Sequence, residues 1–189
     1  MKNSIQFVFV FILALLFCND IHAQRSFIGG GITVMNRNQS YTDFSSEYSR
    51  KYNAVGTTLS YTRYSSPRRG YAFNVTPFLT GSGSYSEIDN GTGTKGDLKS
   101  TGYAVGLSVF GLLGSDYQSK VEWGLINNAG FDIHPGAEFI NASLDFGVMA
   151  RFRLNSKMKI HTSFYPLKSS FSLLSFNPVF GVQFLYAPI

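Results

Sequence analysis

From Phe139 to Leu154 the chain alternates without a break. The even positions are Ile140, Ala142, Leu144, Phe146, Val148, Ala150, Phe152 and Leu154, all apolar; the odd ones carry Asn141, Ser143, Asp145, Gly147, Met149, Arg151 and Arg153. A period of two is that of a β-strand with one oily face. The run outlasts the ~5–6 residues of an ordinary strand. It supplies the ~9–11 tilted residues with which a strand crosses a bilayer.

Further segments repeat the pattern at 29–35, 52–64, 71–80, 101–111, 120–131, 158–166 and 179–186. The first is blurred by the consecutive glycines Gly29, Gly30 and Gly31. In the second, Val55, Thr57, Leu59 and Tyr61 oppose Ala54, Gly56, Thr58, Ser60 and Thr62; in the fourth, Tyr103, Val105, Leu107 and Val109 oppose Gly102, Ala104, Gly106 and Ser108. Segments 36–51 and 81–100 read as long polar loops, whereas 65–70, 113–119 and 155–157 read as short turns. Short turns on one side and longer loops on the other fit a membrane barrel with both termini on the turn side. The pattern therefore predicts an all-β fold, an eight-stranded antiparallel up-and-down transmembrane β-barrel. The rival is a soluble barrel of the same period, with its oily face inward and a charged face in water. Small Ala, Gly, Ser and Thr on the less oily face suit instead a crowded lumen. Phe78, Phe110, Met149 and Tyr165 are expected to point inward among them.

Composition sharpens this picture. Charged residues make up 14% of the chain, well under the ~25% of ordinary soluble domains. Met1-Lys2-Asn3, the apolar run Ile5–Phe17 and the site Ile21-His22-Ala23 form a secretory signal peptide over 1–23, leaving 24–189 as the barrel. Cys18 would leave with the signal, so no disulfide framework is expected. The net charge of +5 comes without a dense Lys/Arg run, and no nucleic-acid partner is expected.

Near the C-terminus, Gly181, Phe184 and Tyr186 place a glycine before two alternating aromatics. They resemble the signal read by the barrel assembly machinery. With the strand pattern, the chain resembles the small outer-membrane barrels of the OmpA/OmpX type, in the outer membrane protein beta-barrel domain family. The resemblance implies the cell outer membrane, periplasmic termini and contact with outer-membrane lipid and lipopolysaccharide. It implies no reaction.

The candidate chemistry is an inward charged cluster of Glu122, Asp145, Arg151, Arg153, Lys159 and His161. A three-residue turn at Asn155-Ser156-Lys157 would set Arg153 opposite Lys159 and Arg151 opposite His161, with Glu122 within reach of Arg151 and Asp145 further along the lumen. Bare charges are costly in a dry space, so pairing into a register-fixing plug is expected. The alternative is a gate or a proton-sensitive site at His161. His161 and Ser163 also match the His-x-Ser pair of lipid A deacylases. No acidic residue follows Asp145, and a Ser–His pair without an orienting acid is a weak nucleophile.

Other motifs carry less. Gly91, Gly93 and Gly96 spell a dinucleotide fingerprint but open no helix. Glu87, Asp89, Asn90 and Asp97 lack the spacing of a calcium loop. The triplets at Asn74 and Asn141 fall inside strands. No metal and no cofactor are expected. The expectation is a non-enzymatic barrel with a structural or surface-interaction role. Tyr41, Phe44, Tyr48, Arg50 and Lys51 are its extracellular contacts, with a surface protein as a further partner. A narrow pore for small solutes is the alternative, and a lipid-acting barrel enzyme the third.

Overall fold

The computed structural model describes residues 25–42, 46–89, 92–97, 101–134, 139–170 and 173–188; for 39–42, 46–48, 87–89, 92, 139, 141, 168–170 and 173–175 it describes the backbone alone. The expected signal peptide, 1–23, and Phe44 lie outside the described residues. The strands are β1 (Ser26–Thr42), β2 (Ser46–Ser66), β3 (Arg69–Asp89), β4 (Thr92–Asp97), β5 (Thr101–Leu112), β6 (Val121–His134), β7 (Phe139–Arg153), β8 (Met158–Ser170) and β9 (Leu173–Tyr186). All pairings are antiparallel. β1 pairs with both β2 and β9, which closes the ring. β4 pairs with Ser84–Asp89 of β3 and β5 with Arg69–Leu79, so the two form one interrupted stave and the barrel has eight. Closure satisfies the backbone donors and acceptors that lipid cannot.

The two faces are distributed as the alternation demands. Ile32, Leu59, Leu79, Val148 and Phe184 stand outward, each half or more exposed, while Glu122 and Arg151 are buried at 0% and 1%. Apolar outside and charged inside is the reverse of a soluble barrel and the arrangement of one that spans a membrane. Phe78, Phe110, Met149 and Tyr165 are all buried in the lumen.

Small residues and prolines fit where the backbone leaves room for nothing else. A side chain at Gly31 would collide with the backbone of Val182 and Gln183, so glycine permits the close approach of β1 to β9. Pro166 and Pro178 lie beside register shifts in the β7–β8 and β8–β9 ladders, where a missing N–H is tolerated. The β1–β9 ladder stops at Met35 and Val179, next to Pro178.

At the turn end, Pro67-Arg68, 113–120 and 154–157 join the strands. Leu154 and Met158 are hydrogen-bonded across the three-residue turn, with Arg153 opposite Lys159 and Arg151 opposite His161 as the pattern required. Both described ends of the chain lie here: Arg25 donates to Ser156 O at 3.2 Å and Ala187 N to Lys157 O at 2.8 Å.

The opposite end departs from expectation. The segments read as long polar loops are mostly strand. β1 and β2 stay paired to Thr42 and Glu47, and β3 and β4 to Asp89 and Thr92. Above the oily belt neither face of a strand needs to be apolar, so the alternation falls silent while the ladder continues. The two ribbons share the β2–β3 ladder up to Ser46 and Asp89 and form one four-stranded sheet beyond the belt.

Membrane depth should set the cost of an outward arginine. Val148, in the middle of the β7 belt, should lose ~2–4 kcal/mol on Val148→Arg, whereas Leu154→Arg at the turn-end rim should lose ~0–1 kcal/mol. Urea unfolding in phospholipid vesicles measures both, and equal costs would contradict the belt.

Candidate functional site

Every fully buried charged side chain of the described residues lies in the lumen, and these groups gather in two layers. Near the turn end, Glu122 of β6 sits opposite Arg151 of β7, while Lys159 reaches it from β8. Lys159 Nζ donates to Glu122 Oε1, and the Tyr64 hydroxyl donates to Oε2. Arg151 donates through Nη1 to Tyr64 Oη at 2.7 Å and through Nε to His161 Nδ1 at 3.1 Å; its Nη1 is 3.9 Å from Glu122. Its guanidinium lies 4.1 Å from the centre of the Phe110 ring, a cation–π distance.

The connection after β5 completes this layer. Tyr117 folds back and is buried, and its carbonyl accepts from Arg153 at 2.6 Å and Lys159 at 2.9 Å. Two features shape the fold-back: Gly114 at φ +68° supplies the left-handed residue, and Asp116 accepts from Gln118 N. That hydrogen bond holds the Asp116 carboxyl below its ordinary range.

Toward the ribbon end the stoichiometry reverses. Arg37 of β1 bridges two carboxylates, with Nε 3.1 Å from Asp132 and Nη1 2.8 Å from Asp145. The Tyr52 hydroxyl donates to Asp132 at 3.2 Å, and the Asn128 amide to Asp145 at 3.3 Å. Tyr52, Phe78 and His134 pack ring against ring beside it, with centroids 4.9–6.2 Å apart.

Between the layers lies a chamber of about 70 Å³ bounded by Arg37 and Asp145 on one side and Arg151 and His161 on the other. That exceeds the ~10–15 Å³ that a single water needs. Thr58, Thr76, Asn128 and Gln183 line it: the Thr58 and Thr76 hydroxyls share a hydrogen bond at 2.8 Å, Ser60 Oγ donates to Gln183 at 2.7 Å and Ser108 Oγ to Asn128 at 3.0 Å.

The sequence-derived cluster is thus brought together only in part. Glu122, Arg151, Lys159 and His161 share one layer, and Arg153 joins it through Tyr117. Asp145 belongs to the other layer, whose Arg37, Asp132, Tyr52 and His134 the sequence reading missed. Two cues would have exposed three of them. Arg37 continues the inward series Thr33, Met35, and Asp132 and His134 continue the series Ile126, Asn128, Gly130. Ser163 and His161 are both buried in the lumen. An imidazole whose Nδ1 accepts from Arg151 carries its proton on Nε2 and has no lone pair there to activate Ser163.

The other expected sites are placed as follows. Tyr41 and Tyr48 are paired partners on the β1–β2 ribbon, and alternation sends Arg50, half-buried, and Lys51, exposed, to opposite faces. Phe184 and Tyr186 stand outward on β9, with Gly181 turned in against Ser163. Among the described residues no three His, Cys, Asp or Glu side chains converge as metal ligands.

No protein-family model matches the chain, and no curated protein matches it. Solved structures do. The translocator domain of the autotransporter NalP from Neisseria meningitidis is 9% identical, with 98% of this chain and 95% of that one covered at a TM-score of 0.30. The beta domain of the Bordetella autotransporter BrkA is 8% identical, with 86% and 99% covered at 0.29. The KdgM porin, solved with disordered oligogalacturonate, is 6% identical, with 87% and 99% covered at 0.26. At such scores the barrel stands on its own strand pairing.

Removing one partner of a buried pair leaves a bare charge. Glu122→Gln should therefore lower stability by roughly 3–5 kcal/mol if the layer is dry, with most of the loss recovered in Glu122→Gln/Lys159→Met. A urea-unfolding double-mutant cycle measures this, and additive losses would separate Lys159 from Glu122 energetically.

Proposed function

We propose that this protein is an outer-membrane barrel of the small OmpA/OmpX-like kind, non-enzymatic and closed to solutes, which acts through the sheet it raises above the membrane. The observation that carries this reading is the filled lumen. Eight strands leave an interior that side chains can fill, and here two ion-paired layers and the Tyr117 fold-back occupy it. What remains for interaction is outside. The four-stranded sheet rises beyond the oily belt, and no described strand pairs with the outer edge of β4. An open edge of this kind can accept an extended segment of a surface protein. In this reading the ribbon end is extracellular, the turn end periplasmic, and Gly181, Phe184 and Tyr186 serve the assembly machinery.

A narrow pore is the second reading, favoured by the chamber between the layers. It requires both layers to open together. A lipid-acting enzyme is disfavoured by the inward Ser163 and by the proton placement on His161.

In planar bilayers the purified protein should give no steady conductance, and in cells it should fractionate with the outer membrane and migrate differently before and after heating. Steady wild-type conductance would make the pore the better reading. Recovery as a soluble monomer would remove the membrane assignment.

A further inference from the structure

The oily belt on β1, β2 and β3 ends abruptly at Val34, Val55 and Leu79. Directly above it, on the same outward face, the paired positions become Asn36–Asn53–Ser82 and then Asn38–Lys51–Ser84. A bulge at Gly81 keeps the third strand in step, since Ala54 pairs with Thr80 but Asn53 with Ser82. Without that extra residue Ser82 and Ser84 would face the lumen side. The result is a lattice of amides, hydroxyls and one amine aimed sideways, at the height where lipid acyl chains give way to headgroups.

The lattice has a wall. Beyond Met35 and Val179, β9 no longer pairs with β1, because Pro178 has no N–H to give. The buried Asn177 side chain takes over and accepts from the Asn38 N–H. The strands part there, leaving a recess of about 480 Å³ between the lattice and Phe176, which is 70% exposed. That volume lies within the ~300–1,000 Å³ of small-ligand sites. Among the described residues no carboxylate pairs with Lys51.

We infer that this recess binds the phosphorylated sugar headgroup of an outer-leaflet glycolipid. The Asn and Ser side chains offer paired donors and acceptors to sugar hydroxyls, Lys51 offers a cation to phosphate, and Phe176 with the belt below it holds the acyl chains. The site is separate from the lumen and from the β4 edge. It rests on the reading that the ribbon end faces outward.

The mature chain in detergent, titrated by native mass spectrometry with lipid A, dephosphorylated lipid A and phosphatidylglycerol, tests the site. Lipid A should bind tightest. Lys51→Ala should weaken lipid A by about tenfold, the loss of one charge-assisted hydrogen bond, and leave the dephosphorylated form unchanged. Asn53→Ala should weaken both, and Lys51→Arg should retain binding. These residues are exposed, so heat-modifiable migration should remain normal in each variant. Equal affinity for phosphatidylglycerol, or an unchanged Lys51→Ala, would overturn the site. Orientation is judged separately: Thr94→Cys on β4 should react with an impermeant maleimide on intact cells. Reaction only after lysis would overturn the outward ribbon end while the titration still judges the recess.

Discussion

A closed ring of eight staves has an interior too narrow for bulk water and too polar to be left empty. The Glu122 carboxylate answers this constraint at one end, accepting from Lys159 and Tyr64 with Arg151 close by. It ties β2, β6, β7 and β8 together across the lumen rather than along the ladder. Arg37 does the same from β1, reaching β6 and β7. Backbone ladders close the barrel, but they are indifferent to a slip of two residues, which preserves the facing of every side chain. Cross-lumen charge pairs are not indifferent, and they set the register that the ladders alone leave open.

The outside obeys a different rule. Its belt has no specific contacts to make and needs only to be apolar over the right height. Where the belt stops, the same strands continue with polar residues on the outward face, and barrel becomes ribbon without any break in hydrogen bonding. The change of solvent, not of secondary structure, marks the boundary. Pro178 adds a second boundary, in the plane of the sheet, where β1 and β9 separate and a side-chain amide substitutes for a backbone partner.

The belt was legible in the sequence because lipid imposes a strict period of two, and that period also fixed the facing of Arg151, Lys159 and His161. The correct opposition of Arg151 to His161 followed from the turn alone. The ribbons were not legible, because Asn36–Thr42 and Ser82–Asp89 have no oily face to betray a strand. That same silence hid Arg37, which sits just past the last apolar position of β1; Asp132 and His134 instead flank the apolar Ile133 and continue the alternation of β6 past Phe131. Tyr117 was hidden for another reason: it enters the lumen from a connection, where strand alternation has no bearing.

The fully buried charges are unevenly shared between the two layers. Toward the ribbons one guanidinium faces two carboxylates; toward the turns one carboxylate faces a guanidinium and an ammonium. In formal charge the first layer is left at −1 and the second at +1, with the small chamber between them. A cation drawn to the first is repelled by the second, and an anion meets the reverse. Whichever sign of ion enters, one of the two layers stands against it, so the proposed closure of the lumen would rest on polarity as well as on the volume of its side chains.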